Sequence, residues 1–196
     1  MSWAAFLYGA FPCNDLRHKF LLAKSSKVSE ITKAILPNGI DIIDLPGHFF
    51  DMIGIRTSDG TVFLADCISS IETLDKYKFP FIYDVAAYLQ TLDKIEKIEA
   101  KVFLPAHAPA SEDILELVKI NKERIVENAN LILTICEKNR PFEEILKQIF
   151  DLHNLTMNFE QYVLVGSTVK SYLAWLRDNG KLTIEFSNNV LFWRSI

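Results

Sequence analysis

The stretch that decides the fold is DIIDLPGHFFDMIGIRTSDGTVFLADC, residues 41–67. Two strand-like runs, Ile53–Thr57 and Thr61–Cys67, flank the turn SDG, and this arrangement predicts a β-hairpin. A Pro-Gly pair places His48 after an earlier apolar run, and Asp66 lies near the end of the second hairpin strand. A histidine and an aspartate therefore each lie at or just beyond the end of a predicted strand, where loops bring side chains together.

A helix and a further strand follow this hairpin, and the order is typical of an α/β domain. Asp84 is placed to cap the helix, whose apolar residues recur at helical spacing: Val85, Tyr88, Leu89, Leu92 and Ile95. KVFLPAH then predicts a short buried strand, Val102–Leu104, which Pro105 stops just before His107. Upstream of the hairpin, Ser29 opens a short predicted helix, SEITKAIL.

The rest of the chain predicts three helices followed by a two-stranded ribbon. Ser111 is expected to cap the first helix, and Pro141 permits a new helix to start. The third helix is expected to break near Gly166 and to end at Asn179-Gly180. Two final strand runs surround the turn residues SNN, which favour a hairpin. Helices followed by such a ribbon predict a winged-helix-like domain.

Length and composition limit the number of domains and the kinds of function that the chain can have. With 196 residues and 49% hydrophobic content, the chain has material for a real core, and we expect two domains, 1–110 and 111–196. The net charge of −4 disfavours a protein dominated by nucleic-acid binding. Three scattered cysteines without a CxxC pair favour a reducing, cytoplasmic setting, and no signal peptide or membrane span is expected.

His48, Asp66 and His107 form the candidate site. Two imidazoles and a carboxylate are a common ligand set for zinc, manganese or iron, and a carboxylate can bridge two metals. Taken singly, each residue has a structural alternative. Each histidine could have its hydrogen bonds satisfied within a turn, and the aspartate could cap a turn. Three such residues at equivalent strand ends favour the metal interpretation.

The order of these motifs resembles the metallo-β-lactamase superfamily. PGH before a hairpin, AD at the end of its second strand and PAH after a helix and a strand match the later metal motifs of that family. The resemblance implies that His48 and His107 bind two different metals, zinc being the first expectation, and that Asp66 bridges them. It also implies an αββα sandwich, of which this chain supplies the C-terminal half. The predicted winged-helix tail is similar to that of the family's hydroxyacylglutathione-hydrolase-like and endoribonuclease-like branch.

The sequence departs from the family pattern in one important respect. The motif His-x-His-x-Asp-His, which supplies the family's first ligands, is absent, and Met52 replaces the second histidine of PGHxxGH. A half-fold would leave an apolar sheet face uncovered. We therefore expect either a complementing N-terminal half or a homodimer instead of a lone monomer.

Three functions remain open at this stage. The first is the C-terminal portion of a metal-dependent hydrolase that acts on an ester, a thioester or a phosphodiester, including small-molecule substrates, and is catalytically incomplete alone. The second is an inactive relative that serves as an interaction or dimerisation protein. The third is a winged-helix nucleic-acid-binding module, disfavoured because residues 111–196 contain ten Lys and Arg against twelve Asp and Glu. Its basic edge would consist of Lys170, Arg177, Lys181 and Arg194.

Overall fold

The computed structural model describes residues 3–17, 27, 31 and 36–196. The helix predicted to start at Ser29 lies outside the described residues. A short 3₁₀ turn spans Asn14–Leu16. The helices are α1 (Trp3–Tyr8), α2 (Ile71–Tyr77), α3 (Val85–Ile95), α4 (Leu115–Ile135), α5 (Phe142–Leu152) and α6 (Phe159–Asp178). The strands are β1 (Ile40–Asp44), β2 (Ile53–Thr57), β3 (Thr61–Ser69), β4 (Val102–His107), β5 (Arg140–Pro141), β6 (Leu182–Ser187) and β7 (Val190–Ser195).

The larger sheet has the strand order β1-β2-β3-β4, and the predicted hairpin forms its centre. β1, β2 and β3 are antiparallel neighbours, whereas β4 runs parallel to β3 after the crossover through α2 and α3. The predicted bounds of β2 are confirmed, while β3 continues to Ser69. The prediction that Pro105 ends β4 is wrong, because the strand runs on to His107. A proline lacks an N–H donor, and an edge strand such as β4 tolerates that loss.

The outer edge of β4 is partly covered by the segment that follows it. The Phe103 N–H donates to the Ser111 carbonyl at 2.8 Å, and the Ser111 N–H donates back at 3.1 Å. Ser111 does not cap α4, contrary to the prediction, because the helix begins only at Leu115. The Asp113 carboxylate instead accepts from the N–H of Leu115, the first helical residue.

One hydrophobic cluster runs through both predicted domains, from Ile43 in β1 to Leu182 in β6. α3 and α4 pack against each other, and both contact β3. The Asp84 side chain accepts from the Ala87 N–H, which confirms the predicted cap of α3. The division of the chain at residue 110 stays a prediction, and the core shows that the two parts are packed together.

The C-terminal part has the element order α4-β5-α5-α6-β6-β7, with a small sheet ordered β5-β7-β6. α6 is continuous through Gly166, so the predicted break is wrong. The predicted end is confirmed, because Asn179 caps α6 and Gly180 adopts a φ of +67°. Calling this part a winged helix stays a prediction. Within the described ranges, no helix is both long enough and apolar enough to cross a membrane.

Candidate metal centre

Gly47 lets the loop that carries His48 pack closely against α3. Its φ of +124° is reserved for glycine, and a Cβ built there would lie 2.3 Å from the Tyr88 backbone. The Gly47 carbonyl accepts hydrogen bonds from the Tyr83 and Asp84 N–H groups, both at 3.0 Å. The loop after β1 is therefore pinned to α3, and His48 is held at the end of the strand.

A bulge in β3 sets the direction of the Asp66 side chain. Ala65 has a φ of +49°, and the pairing of β3 with β4 shifts on both sides of it. Bulges of this kind turn a side chain out of regular alternation. Asp66 is half-buried beside a pocket, whereas Cys67 is fully buried and its thiol donates to the Leu64 carbonyl. Burial raises the pKa of Cys67, as expected for an inert core thiol.

His107 is the last residue of β4, and α2 fixes its backbone. The His107 carbonyl accepts from the Ser70 N–H at 2.9 Å and from the Thr73 hydroxyl at 3.3 Å. Ser70 also caps α2, because its hydroxyl accepts from the Thr73 N–H. The sequence reasoning missed α2, although a serine followed by IETLDKY carries an N-cap signal.

The structure brings the three predicted side chains together. His107 Nε2 lies 3.4 Å from Asp66 Oδ1, and His48 Nε2 lies 3.8 Å from Asp66 Oδ2. Both distances exceed the roughly 2.7–2.9 Å of a charge-assisted hydrogen bond. Two ligand atoms that each lie about 2.1 Å from a tetrahedral zinc are about 3.4 Å apart. The distance between His107 and Asp66 agrees with this spacing, and the distance between His48 and Asp66 is somewhat longer.

The arrangement is open. Among the described residues, no three or more His, Cys, Asp or Glu side chains gather as a group that could hold a metal ion. Each imidazole faces a different oxygen of Asp66, so this chain offers two ligands at each of two positions. Four ligands are usual for a structural zinc, and three plus water for a catalytic one. The described donor set is therefore too small to complete a zinc site by itself.

The surroundings of His48 favour its neutral form. Burial lowers the pKa of His48, and the Asp66 carboxylate, which acts in the opposite direction, does not reverse that lowering. A hydrogen bond to the Phe81 backbone also raises the pKa by a smaller amount. A neutral imidazole is the form that binds metals, and a backbone hydrogen bond to a histidine ring is a common way to orient such a ligand.

The three side chains line one pocket of about 440 Å³. α2 contributes Glu72, Thr73 and Lys76 to this pocket, and α6 contributes Gln161 from beyond the predicted domain boundary. Aromatic and aliphatic side chains form much of the remaining wall: Tyr77, Phe79, Pro80, Phe81, Tyr88, Leu164 and Val165. The pocket can therefore hold a ligand with an apolar body next to the three candidate metal ligands.

A buried asparagine supports this pocket and was missed by the sequence reasoning. Asn121 on α4 is 2% exposed. Its side-chain oxygen accepts from the Ser69 N–H at 3.1 Å, and its amide donates to the Ser69 carbonyl at 2.8 Å. Ser69 ends β3 and lines the pocket, so Asn121 anchors the strand that carries Asp66.

The fold is shared with two solved structures. A metallo-beta-lactamase family protein from Thermus thermophilus matches 80% of this chain with a TM-score of 0.62 and 12% identity. A beta-lactamase domain protein from Burkholderia ambifaria matches 80% with a TM-score of 0.64 and 15% identity. No protein-family model and no curated protein matches the sequence. The match covers 49% and 48% of those two chains. This chain therefore has a metallo-β-lactamase-like α/β fold and spans about half the length of these two structures.

Proposed function

We propose that this chain supplies the bridging side of a two-metal hydrolase site. His48 and His107 would each bind one zinc ion, with manganese or iron as alternatives, and Asp66 would bridge the two. The observation that carries the proposal is the Asp66 carboxylate, whose two oxygens face two imidazole Nε2 atoms at 3.8 and 3.4 Å. When bound, the metals would supply an activated water and Lewis-acid polarisation for the cleavage of an ester, a thioester or a phosphodiester.

The missing ligands would come from residues that this sequence does not contain. Two ligands at each metal position leave the coordination shell incomplete. The solved structures that share the fold are about twice as long as the matched part, which is consistent with a second half that completes the site. The chain alone would then bind metal weakly and turn over little substrate.

An apolar row on the larger sheet supports the same proposal. Ile42, Ile55, Phe63 and Leu104 are register partners across the four strands, so they lie on one face. The opposite face, which includes Val62, is buried in the core. In contrast, Ile55 is 37% and Phe63 is 44% exposed. A second sheet stacked on this apolar row would bury it, and sheets pack face to face about 10 Å apart.

The proposal is tested by zinc titration of the purified chain, with competition against a chelator and elemental analysis. Because His48 and His107 would bind different metals, His48→Ala and His107→Ala should each abolish one of two binding events. Asp66→Ala should weaken both, each by at least about tenfold. His153→Ala is the matched control, since His153 is also half-buried but lies outside the pocket of the site.

Equal zinc binding by the parent chain and by Asp66→Ala would refute the proposal. Zinc binding that falls equally in the His153→Ala control would show nonspecific coordination and would refute it as well. Chromogenic phosphodiester and thioester substrates then test the catalytic part of the proposal. We expect little turnover by the zinc-loaded chain alone. Full turnover by this chain would contradict the proposal that its metal site is incomplete.

A further inference from the structure

We infer that the pocket beside the candidate metal centre binds the carbonyl oxygen of an apolar ester or thioester through two buried hydroxyl groups, those of Ser69 and Tyr88. The inference rests on the proposed function, because it narrows the three substrate classes named there to the two that contain a carbonyl group. Neither residue is one of the proposed metal ligands, so the two proposals concern different side chains of the same pocket.

Four of the residues that line the pocket are buried, and together they form what we call its floor. They are Ser69, Phe79, Tyr88 and Val165, with exposed fractions of 6%, 2%, 5% and 4%. Phe79, Tyr88 and Val165 belong to the main core cluster, so the packing of the whole chain holds the floor in place. The side chains of the floor are apolar except for the hydroxyl groups of Ser69 and Tyr88.

Both hydroxyl groups lack a hydrogen-bond partner in the part of the chain that the structure describes. In contrast, the hydroxyl of Tyr172, another buried tyrosine, bonds to the Asn128 side chain. Among the described residues, the side-chain atoms that are both unpaired and fully sealed from open space are Arg56 Nε, Arg140 Nε and His153 Nε2. The oxygens of Ser69 and Tyr88 do not belong to that set, so each still faces open space, and both residues line the pocket.

Unpaired hydroxyl groups in a buried floor point to a ligand that accepts hydrogen bonds. Buried polar groups normally have partners, because an unmade hydrogen bond is costly. Burial raises the pKa of Tyr88 well above its usual value, and nearby groups that include the Asp66 carboxylate act in the same direction, so the phenol keeps its proton and can donate. A carbonyl oxygen has two lone pairs and can accept from two donors.

Both hydroxyl-bearing residues are tied to the elements that carry the candidate metal ligands. Ser69 follows Asp66 by three residues in β3, and it is the register partner of His107. The Tyr88 backbone packs against the loop that carries His48. A carbonyl group bound by these hydroxyl groups would therefore lie beside the centre where cleavage is proposed.

The distribution of charge in the pocket favours a carbonyl group over a phosphodiester. No floor residue is charged, and two uncharged hydroxyl groups do not compensate for the burial of a phosphate anion among apolar side chains. The charged residues Glu72 and Lys76 lie on α2 and are exposed, at the rim of the pocket. Lys76 Nζ lies 4.9 Å from the centre of the Tyr77 ring, which is also exposed. An uncharged carbonyl group with an apolar neighbour therefore matches the floor better.

The test is the binding of methyl 3-phenylpropanoate, an apolar ester, to the chelator-treated chain, measured by ligand-observed NMR. Tyr88→Phe and Ser69→Ala each remove one donor, so each should weaken ester binding about three- to tenfold. Propylbenzene has no acceptor oxygen, and its binding should be equal or tighter in both variants. Because these measurements use no metal, their result does not depend on the zinc titration, and the two proposals can fail separately.

Stability measurements distinguish ligand binding from a structural role. Since neither hydroxyl bonds to another described residue, Tyr88→Phe and Ser69→Ala should leave the urea midpoint unchanged or raise it. Tyr172→Phe is the matched control, because it breaks the hydrogen bond to Asn128, and Tyr172 does not line the pocket. This control should lower the urea midpoint and leave ester binding intact.

Three results would overturn the inference. The first is ester binding that is absent from the parent chain, or equal in it and in both variants, since ordered water would then be the partner of the hydroxyl groups. The second is a loss of ester binding that comes with a lower urea midpoint, which would assign the two hydroxyl groups to the fold. The third is binding of methyl phenyl phosphate, with or without zinc, that weakens in the same two variants, because the hydroxyl groups would then bind a phosphodiester.

Discussion

Replacing Gly47 with alanine should destabilise the protein and displace His48. Three effects add in this variant. A non-glycine residue at a φ of +124° costs about 1–3 kcal/mol. The new Cβ would lie 2.3 Å from the Tyr88 backbone, a distance that forces the loop away from α3. That movement strains the hydrogen bonds that the Gly47 carbonyl accepts, each of which contributes about 0.5–1.5 kcal/mol. We expect a total loss of about 3–5 kcal/mol.

Urea denaturation of the two proteins measures this loss. For a slope near about 2 kcal/mol per molar urea, the midpoint should fall by about 2 M. Gly180→Ala is the matched control, because Gly180 also has a positive φ, +67°, but no atom lies within 4 Å of its built Cβ. That control should lose only about 1 kcal/mol. Equal losses in the two variants would refute the argument that contact with α3 dictates Gly47.

Three further predictions concern the buried Asn121, the bulge at Ala65 and the pH dependence of stability. Asn121→Leu should cost about 2–4 kcal/mol by urea denaturation, because it leaves the Ser69 backbone groups buried and unpaired; a loss below about 1 kcal/mol would contradict that role. Ala65→Gly should stabilise the chain by about 0.5–1 kcal/mol by relieving the positive φ, while Ala65→Val should destabilise it; stabilisation by valine would argue against the bulge. Burial lowers the pKa of His153 from its usual value of 6.5, so the unfolded chain binds more protons near that pH and stability should fall as the pH drops through it. His153→Gln should flatten this slope in urea titrations at several pH values, and an unchanged slope would assign it to other groups.

The sequence predicted the elements that have strong local signals. β2 has the predicted bounds, because alternation and the SDG turn fix it at both ends. The bounds of α3 and its Asp84 cap follow from helical spacing and a capping aspartate. The three candidate ligands were also found from sequence, since each lies at or just after the predicted end of an apolar, strand-like run. The structure brings Asp66 near both histidines, although their role as metal ligands stays a prediction.

The misses have a common physical origin in contacts between distant segments. Nothing local indicates that β4 continues past Pro105, because the tolerance depends on its place at the edge of the sheet. Ser111 had the residue type of a cap, but the outer edge of β4 competes for its backbone. The positive φ of Ala65 and the buried Asn121 also depend on partners far along the chain, so single-sequence patterns do not reveal them.

The outer side of β4 limits the growth of the larger sheet by strand addition. Phe103 and Ser111 already pair their backbone groups, and Pro105 lacks an N–H donor, so an incoming strand finds few free partners along this edge. At the opposite edge, β1 carries Asp41 and Asp44, and charged side chains also disfavour pairing with another chain. In the described part of the chain, both edges of the larger sheet are therefore guarded against edge-to-edge aggregation.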